Sequence, residues 1–277
     1  MKEGMNMNKI YLMADIHGDW KPIRNFHQRH NTNKEYNEAD KTMILLGDTG
    51  ILFFQNHRDE EFKKHLGKFP FEYFIIRGNH DLRASELALK NPTEWHTEPF
   101  WGSYVWVENA YPYIKYAMDY VNIYHIPCGD EYYKTVVVPG AFSIDKSYRL
   151  MMGWTWNPTE QLSADEMEAG KKLLEEANWK CDLILSHTCP FMFEPTDLFM
   201  SGIDQSQVDK TMERYLGEIE HKTEYKALLW GHYHAVREYP RDFGKPTSEN
   251  PRQLMLYNTC AVDLYDVMNE ERMVEKL

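Results

Sequence analysis

Five short apolar runs punctuate the chain: KIYLMA at 9–14, TMILLG at 42–47, EYFIIRG at 72–78, CDLILS at 181–186 and YKALLWG at 225–231. Each is too short for a stable helix and rich in Ile, Leu, Tyr and Phe, the composition of a strand buried on both faces. Between them lie DWKPIRNFHQRH at 19–30, RDEEFKKHLGK at 58–68, SADEMEAGKKLLEEAN at 163–178 and QSQVDKTMERYLGEI at 205–219, all with helical patterning. Strands alternating with helices predict a layered α/β architecture.

The residues just after each run carry the chemistry. Asp15 and His17 succeed the first, Asp48 the second, Asn79 and His80 the third, His187 the fourth, and His232 and His234 the fifth. Ligands of open α/β sheets bind beyond the carboxyl ends of the strands, so these side chains are expected to converge. On an extended segment, i, i+2 spacing aims both members of a pair the same way, as expected for His232 and His234. Singly, each piece is ordinary: Asp-x-His and Gly-Asn read as turns, and a lone histidine after a strand is usually structural. Five strand ends that all deliver carboxylate, amide or imidazole point to a metal site.

Composition narrows the class. The chain has 277 residues, 43% hydrophobic and 14% aromatic, which is globular. With no Ser/Gly/Pro-rich linker and no repeat, it reads as one domain over 1–277, with its motifs over 10–234 and further strands expected over 235–277. The 43 acidic against 31 basic residues give a formal charge of −12. That field repels polyanions and speaks against non-specific nucleic-acid binding, although a cationic centre still attracts phosphate. The opening MKEGMNMNKIYLMADIHG has no apolar leader core, and no run is long enough to span a bilayer, so the expectation is a cytoplasmic protein with no membrane partner. Cys128, Cys181, Cys189 and Cys260 show no C-x-x-C pairing and read as reduced thiols.

The ordered blocks DIH at 15–17, GD at 47–48, GNHD at 78–81, His187 and GHYH at 231–234 resemble the signature of the calcineurin-like metallophosphoesterases. The resemblance implies a single-domain, four-layer αββα sandwich holding two divalent metal ions. It implies Asp15, His17, Asp48 and His234 around one ion, and Asp48, Asn79, His187 and His232 around the other, with Asp48 bridging. Mixed imidazole, carboxylate and amide ligands suit Mn²⁺, with Fe, Zn²⁺ and Ni²⁺ as alternatives, better than Mg²⁺. It further implies hydrolysis of phosphate mono- or diesters by a metal-bridging hydroxide, with His80 protonating the leaving group and Asp81 orienting His80.

A narrower resemblance covers VVVPGAFSIDKSYRL at 136–150, WTW at 154–156 and Glu160, a segment similar to one in bacterial and phage-type members; its plain alternative is a hairpin and loop leading to the helix at 163–177. The chain departs from the protein-phosphatase branch by reading GDTGILFF where those relatives carry a phosphate-binding arginine. Arg83 and Arg149 are the preferred replacements, with Arg77 a third candidate, although surface ion pairs are an alternative for any of them. The aromatic stretch 95–116 reads as core packing or as the wall of a substrate groove. Competing functions are a Ser/Thr-type protein phosphatase, a nuclease or cyclic-nucleotide phosphodiesterase, and a non-catalytic metal-binding scaffold. The identity of the phosphate ester and the oligomeric state are left open.

Overall fold

The computed structural model describes residues 8–154, 156–239 and 246–270. The strands among them are β1 (Lys9–Met13), β2 (Lys41–Leu46), β3 (Glu72–Ile76), β4 (Trp95–Phe100), β5 (Ser103–Glu108), β6 (Ile114–Ala117), β7 (Asn122–Cys128), β8 (Glu131–Val138), β9 (Leu183–Ser186), β10 (Ala227–Trp230), β11 (Arg237–Tyr239), β12 (Arg252–Met255) and β13 (Val262–Asp263). The helices are α1 (Lys21–His30), α2 (Lys34–Glu38), α3 (His57–Leu66), α4 (Ala84–Lys90), α5 (Lys146–Met151), α6 (Ala164–Glu176), α7 (Thr211–Lys222) and α8 (Leu264–Asn269). The five apolar runs are β1, β2, β3, β9 and β10.

Two sheets form, ordered β13-β1-β2-β3-β6-β5-β4 and β11-β12-β10-β9-β8-β7. Their central strands run parallel and their outer ones antiparallel. Side-chain alternation then sorts each apolar run between two cores. Ile10, Leu12, Ile44, Leu46, Phe74 and Ile76 of the first sheet meet Leu183, Leu185, Ala227, Leu229 and Leu254 of the second in the central layer. The intervening Tyr11, Met13, Met43, Leu45, Tyr73 and Ile75 pack outward against Ile23 and Phe26 of α1 and Phe62 and Leu66 of α3. On the other side Ile184, Leu228, Trp230 and Met255 meet Leu174 of α6 and Met212, Leu216 and Ile219 of α7. The result is a four-layer αββα sandwich. It explains why these runs lack polar alternation: neither face of a central strand sees water.

The structure departs from expectation at one helix start and in the C-terminal region, and it bears out core packing for the aromatic stretch. The helix expected from Gln205 begins at Thr211, just after a turn in which the Asp209 carboxylate accepts the Thr211 N–H at 2.8 Å, while Gln205–Gln207 form a single 3-10 turn. The aromatic stretch is the β4–β5–β6 meander, with Trp95, Tyr111 and Tyr116 buried. The C-terminal region carries strands β11, β12 and β13 but continues into α8; residues 240–245 and 271–277 of that expected region, the opening 1–7, and Thr155 of the WTW segment lie outside the described residues. The four cysteines are free.

Candidate metal centre

The carboxyl ends of β1, β2 and β3 carry Asp15, His17, Asp48, Asn79 and His80, and those of β9 and β10 carry His187, His232 and His234. The two sheets thus bring their polar ends to one seam. The backbone there is not extended: Asp15, His17, Asp48, His232 and His234 all take positive φ, between 44° and 72°. Asp and His tolerate this left-handed region better than most residues. Convergence of Asp15 with His17 and of His232 with His234 therefore comes from tight turns, rather than from the strand alternation expected of the i, i+2 spacing. Hydrogen bonds tie the turns together. The Asp15 carboxylate accepts the His232 N–H at 3.0 Å, Asp48 Oδ1 accepts the His80 N–H at 2.9 Å, and the Asp48 carbonyl accepts the His17 N–H at 2.9 Å. The glycines of the motifs have a packing reason. A Cβ on Gly47 would overlap the His187 ring, and one on Gly78 the Asp48 carboxylate.

Two donor sets result. Ligand-type atoms of Asp15, His17, Asp48 and His234 lie within 4.8 Å of one another, as do those of Asp48, His187 and His232. In the first set, the Nε2 atoms of His17 and His234 are 2.9 Å apart, and Asp48 Oδ2 is 3.9 Å from the former. In the second, His187 Nδ1 donates to the Leu46 carbonyl at 2.8 Å, which aims Nε2 at Asn79 Oδ1 (2.9 Å) and Asp48 Oδ1 (3.3 Å). Electron-rich atoms facing one another at such distances suit a shared cation, so the residues fit a divalent metal. Burial opposes the charged forms throughout the cluster. It lowers His17, pushes His232 well below the ordinary imidazole value and takes His234 down to about 4, while it raises Asp15 well above the usual carboxylate range. Burial also works against charge at Asp48 and His187, but their mutual attraction wins: the carboxyl is held low and the ring is lifted to about 9. Protons and a metal compete for these atoms.

A buried layer behind the centre fixes the orientation of Asn79. Ser143 Oγ donates to Glu160 Oε2 at 2.6 Å and accepts from Asn79 Nδ2 and Arg149 Nη1, both at 3.0 Å. A hydroxyl has one hydrogen, and here Glu160 takes it. The atom that Asn79 presents to Ser143 must therefore be its NH₂, which leaves Oδ1 facing His187. Glu160 and the 136–150 segment stand out in the sequence, but not in this role. The signal was the segment's resemblance, while the contact spans 64 positions of sequence.

Four residues sit otherwise than expected. Asp81 does not approach the His80 ring; its carboxylate accepts from the Thr49, Gly50 and Gly78 N–H groups and the Thr49 hydroxyl, at 2.9–3.2 Å, and so joins the Asp48 turn to the Asn79 turn. Arg83 is spent on Glu166, the residue that closes the α6 capping box, and on the carbonyls of Thr159 and Gln161. Arg149 is buried at 2% exposure under the ring of Phe53, facing Ser143. Arg77 is likewise buried, donating to the Glu160 carbonyl. None of these arginines lines the cavity of about 320 Å³ over the centre, and neither does any aromatic residue of 95–116. His80 does line it, stacked on Phe53, with Nε2 3.7 Å from Asp145 Oδ2. Asp145, unmarked in the sequence, is the carboxylate facing that ring apart from Asp48, 3.9 Å away.

A helix-flanked double sheet whose strand ends gather carboxylate, amide and imidazole groups at one seam defines a metal-dependent phosphoesterase. The family model for calcineurin-like phosphoesterases matches residues 8–236, and the chain belongs to that family. Similar solved structures include one that is 12% identical, covering 93% of this chain and 95% of its own with a TM-score of 0.48. Another is the 5'-nucleotidase from Candida albicans, 12% identical, covering 93% of this chain at a TM-score of 0.45; the chain spans about half of that protein, 48%. A protein of unknown function from Aquifex aeolicus is 16% identical over 68% of this chain and 82% of its own, with a TM-score of 0.31. No curated protein matches the sequence. Among the described residues, no helix is long and apolar enough to cross a membrane.

Proposed function

We propose that the chain hydrolyses phosphate mono- and diesters at a dinuclear centre in the cytoplasm, with Asp15, His17, Asp48 and His234 around one cation and Asp48, Asn79, His187 and His232 around the other. The observation that carries this reading is the pair of converging donor sets that share Asp48. When bound, two divalent ions, Mn²⁺ by preference, supply charge neutralisation at the phosphoryl oxygens and acidify the attacking water. The chain's own groups do the rest. Leu46 and Ser143 hold His187 and Asn79 in ligand orientation, and Asp81 keeps the Asp48 and Asn79 turns in register. As the water oxygen, one proton released to solvent, bonds to phosphorus and the ester P–O bond breaks, His80 gives a proton to the departing oxygen.

The charge of the cavity supports a substrate class as well. Among the described residues no arginine lines it, and its lysine, Lys210, is paired with Glu194 at 2.7 Å. A monoanionic diester needs less cationic compensation beyond the metals than a dianionic monoester. The chain is accordingly a broad phosphoesterase with appreciable aryl diesterase activity and a poor phosphoprotein phosphatase. The test has two parts. Metal analysis of Asp48→Ala is expected to show loss of both ions, and two tightly held ions would remove the bridging role. With Mn²⁺, kcat/KM for bis-(p-nitrophenyl) phosphate and p-nitrophenyl phosphate is expected to exceed that for a phosphothreonine peptide; a strong preference for the peptide would return the chain to the phosphatase branch.

A further inference from the structure

The cavity over the centre is chemically one-sided. Its floor is the polar cluster, whereas its walls are Phe142 and Ile144, after β8, and Leu198, Phe199, Met200 and Val208, between β9 and α7. Several of these walls face water: Ile144 is 43% exposed, Leu198 41% and Met200 65%. The stretch that carries Leu198 and Met200 is built from single-turn 3-10 helices at Thr196–Leu198 and Gln205–Gln207 and has no long helix face with which to bury them.

The charged side chains on the same walls are engaged through at least one atom, with Glu213 Oε2 left without a partner. Lys210 pairs with Glu194 and lies 4.7 Å over the Phe199 ring. Asp209 accepts the Thr211 N–H and the Gln161 amide, and Glu213 Oε1 accepts the Thr188 hydroxyl at 2.7 Å. Asp145 faces His80 Nε2 at 3.7 Å and Arg149 Nη1 at 3.8 Å, and its carboxylate disfavours a second anion nearby. Among the described residues, the cavity therefore offers apolar surface to the organic part of a substrate and no unpaired lysine or arginine to a second phosphate or a carboxylate.

We infer that the walls at 142–144 and 198–208 form a specificity subsite for an aromatic or branched aliphatic ester group that carries no negative charge beyond the reacting phosphate. The inference rests on the phosphoesterase reading above and deepens it. It excludes nucleoside polyphosphates and acid-flanked phosphopeptides as good substrates, since each adds an anion beside Asp145 and Asp209. It also gives the exposed Leu198 and Met200 a purpose: bound substrate takes their apolar surface out of water, where a groove floor alone supplies none.

The test uses monoesters, which have a single organic group, with phenolic leaving groups of similar basicity: phenyl, 2-naphthyl and 4-carboxyphenyl phosphate, assayed on the full chain with Mn²⁺. A naphthyl group presents roughly 55 Å² more apolar surface than phenyl, which at ~25 cal/mol per Å² predicts a rise in kcat/KM of about tenfold. The carboxylate is expected to lower it about tenfold. In Leu198→Ala/Met200→Ala, which alters two exposed side chains outside the buried cores, the naphthyl-to-phenyl ratio is expected to fall toward one. Hydrolysis of neither these three nor bis-(p-nitrophenyl) phosphate by a chain that holds metal would sink the phosphoesterase reading and the subsite with it, whereas cleavage of the diester alone would overturn only the subsite. Hydrolysis with a flat or inverted order would overturn the subsite alone, as would a naphthyl preference that survives in the double variant.

Discussion

Replacing Ser143 by alanine probes the buried layer behind the metal ligands. The hydroxyl makes three hydrogen bonds, to Glu160, Asn79 and Arg149, among side chains no more than 3% exposed. Hydrogen bonds to charged groups contribute about 1.5–3 kcal/mol and neutral ones about 1, but Glu160 and Arg149 can partly re-pair, so the expected loss of stability is about 2–3 kcal/mol. The functional effect is separate. With the hydroxyl present, a flipped Asn79 amide would set Oδ1 against oxygen lone pairs and forfeit a hydrogen bond; without it, that preference of roughly tenfold or more is gone. Supporting hydrogen bonds of this kind change metal affinity by about 10–100-fold. Calorimetric titration of Mn²⁺ into chelator-treated protein should therefore show one site weakened by that factor, the set of Asp48, Asn79, His187 and His232, with the other unchanged. Glu160→Gln supplies a second reading. Its amide can donate to Ser143, freeing the hydroxyl hydrogen to point at Asn79 and favour the wrong amide orientation, so the same site should weaken with a smaller loss of stability. Two sites of wild-type affinity in both variants would refute the reasoning.

His80→Ala should keep both ions and the fold while turnover falls by roughly 10²–10⁴-fold for alkyl esters and much less for aryl esters, whose leaving groups need little protonation; equal losses would remove His80 as the acid. Asp81→Asn should do the opposite. Its carboxylate accepts four hydrogen bonds, and an amide can satisfy only the donors that meet its oxygen, so chemical denaturation should report a loss of about 2–4 kcal/mol. An Asp81→Asn protein of unchanged stability and reduced turnover would instead give that residue a direct part in the reaction.

The layered fold could be read from sequence because its central strands are buried on both faces, which leaves unbroken apolar runs such as TMILL and DLILS with polar ligands after them. The partners of each side chain were less accessible. Asp81 is next to His80 in the chain, and adjacency suggested cooperation, but the two side chains point to different neighbours, one to the Thr49 turn and the other to the cavity. The arginines were misplaced for a related reason: charge shows in a sequence, whereas the carboxylate or carbonyl that consumes it does not. Arg83 meets Glu166 across 83 positions. Ser143 was silent because a single serine carries no pattern, and its importance lies wholly in the direction of one hydrogen.

The five left-handed residues at the strand ends set the centre's shape at a thermodynamic cost. At roughly 1 kcal/mol each, their combined strain is of order 5 kcal/mol, comparable with the whole net stability of a modest domain. Glycine would relax the exposed His17 and His234 and contribute no ligand atom, whereas the buried Asp15 and Asp48 also hold the His232 and His80 N–H groups. Selection for stability alone would thus erode the centre, and a stabilised variant obtained by screening for heat resistance without an activity requirement should be expected to arise first at His17 and His234, by trading chemistry for backbone comfort.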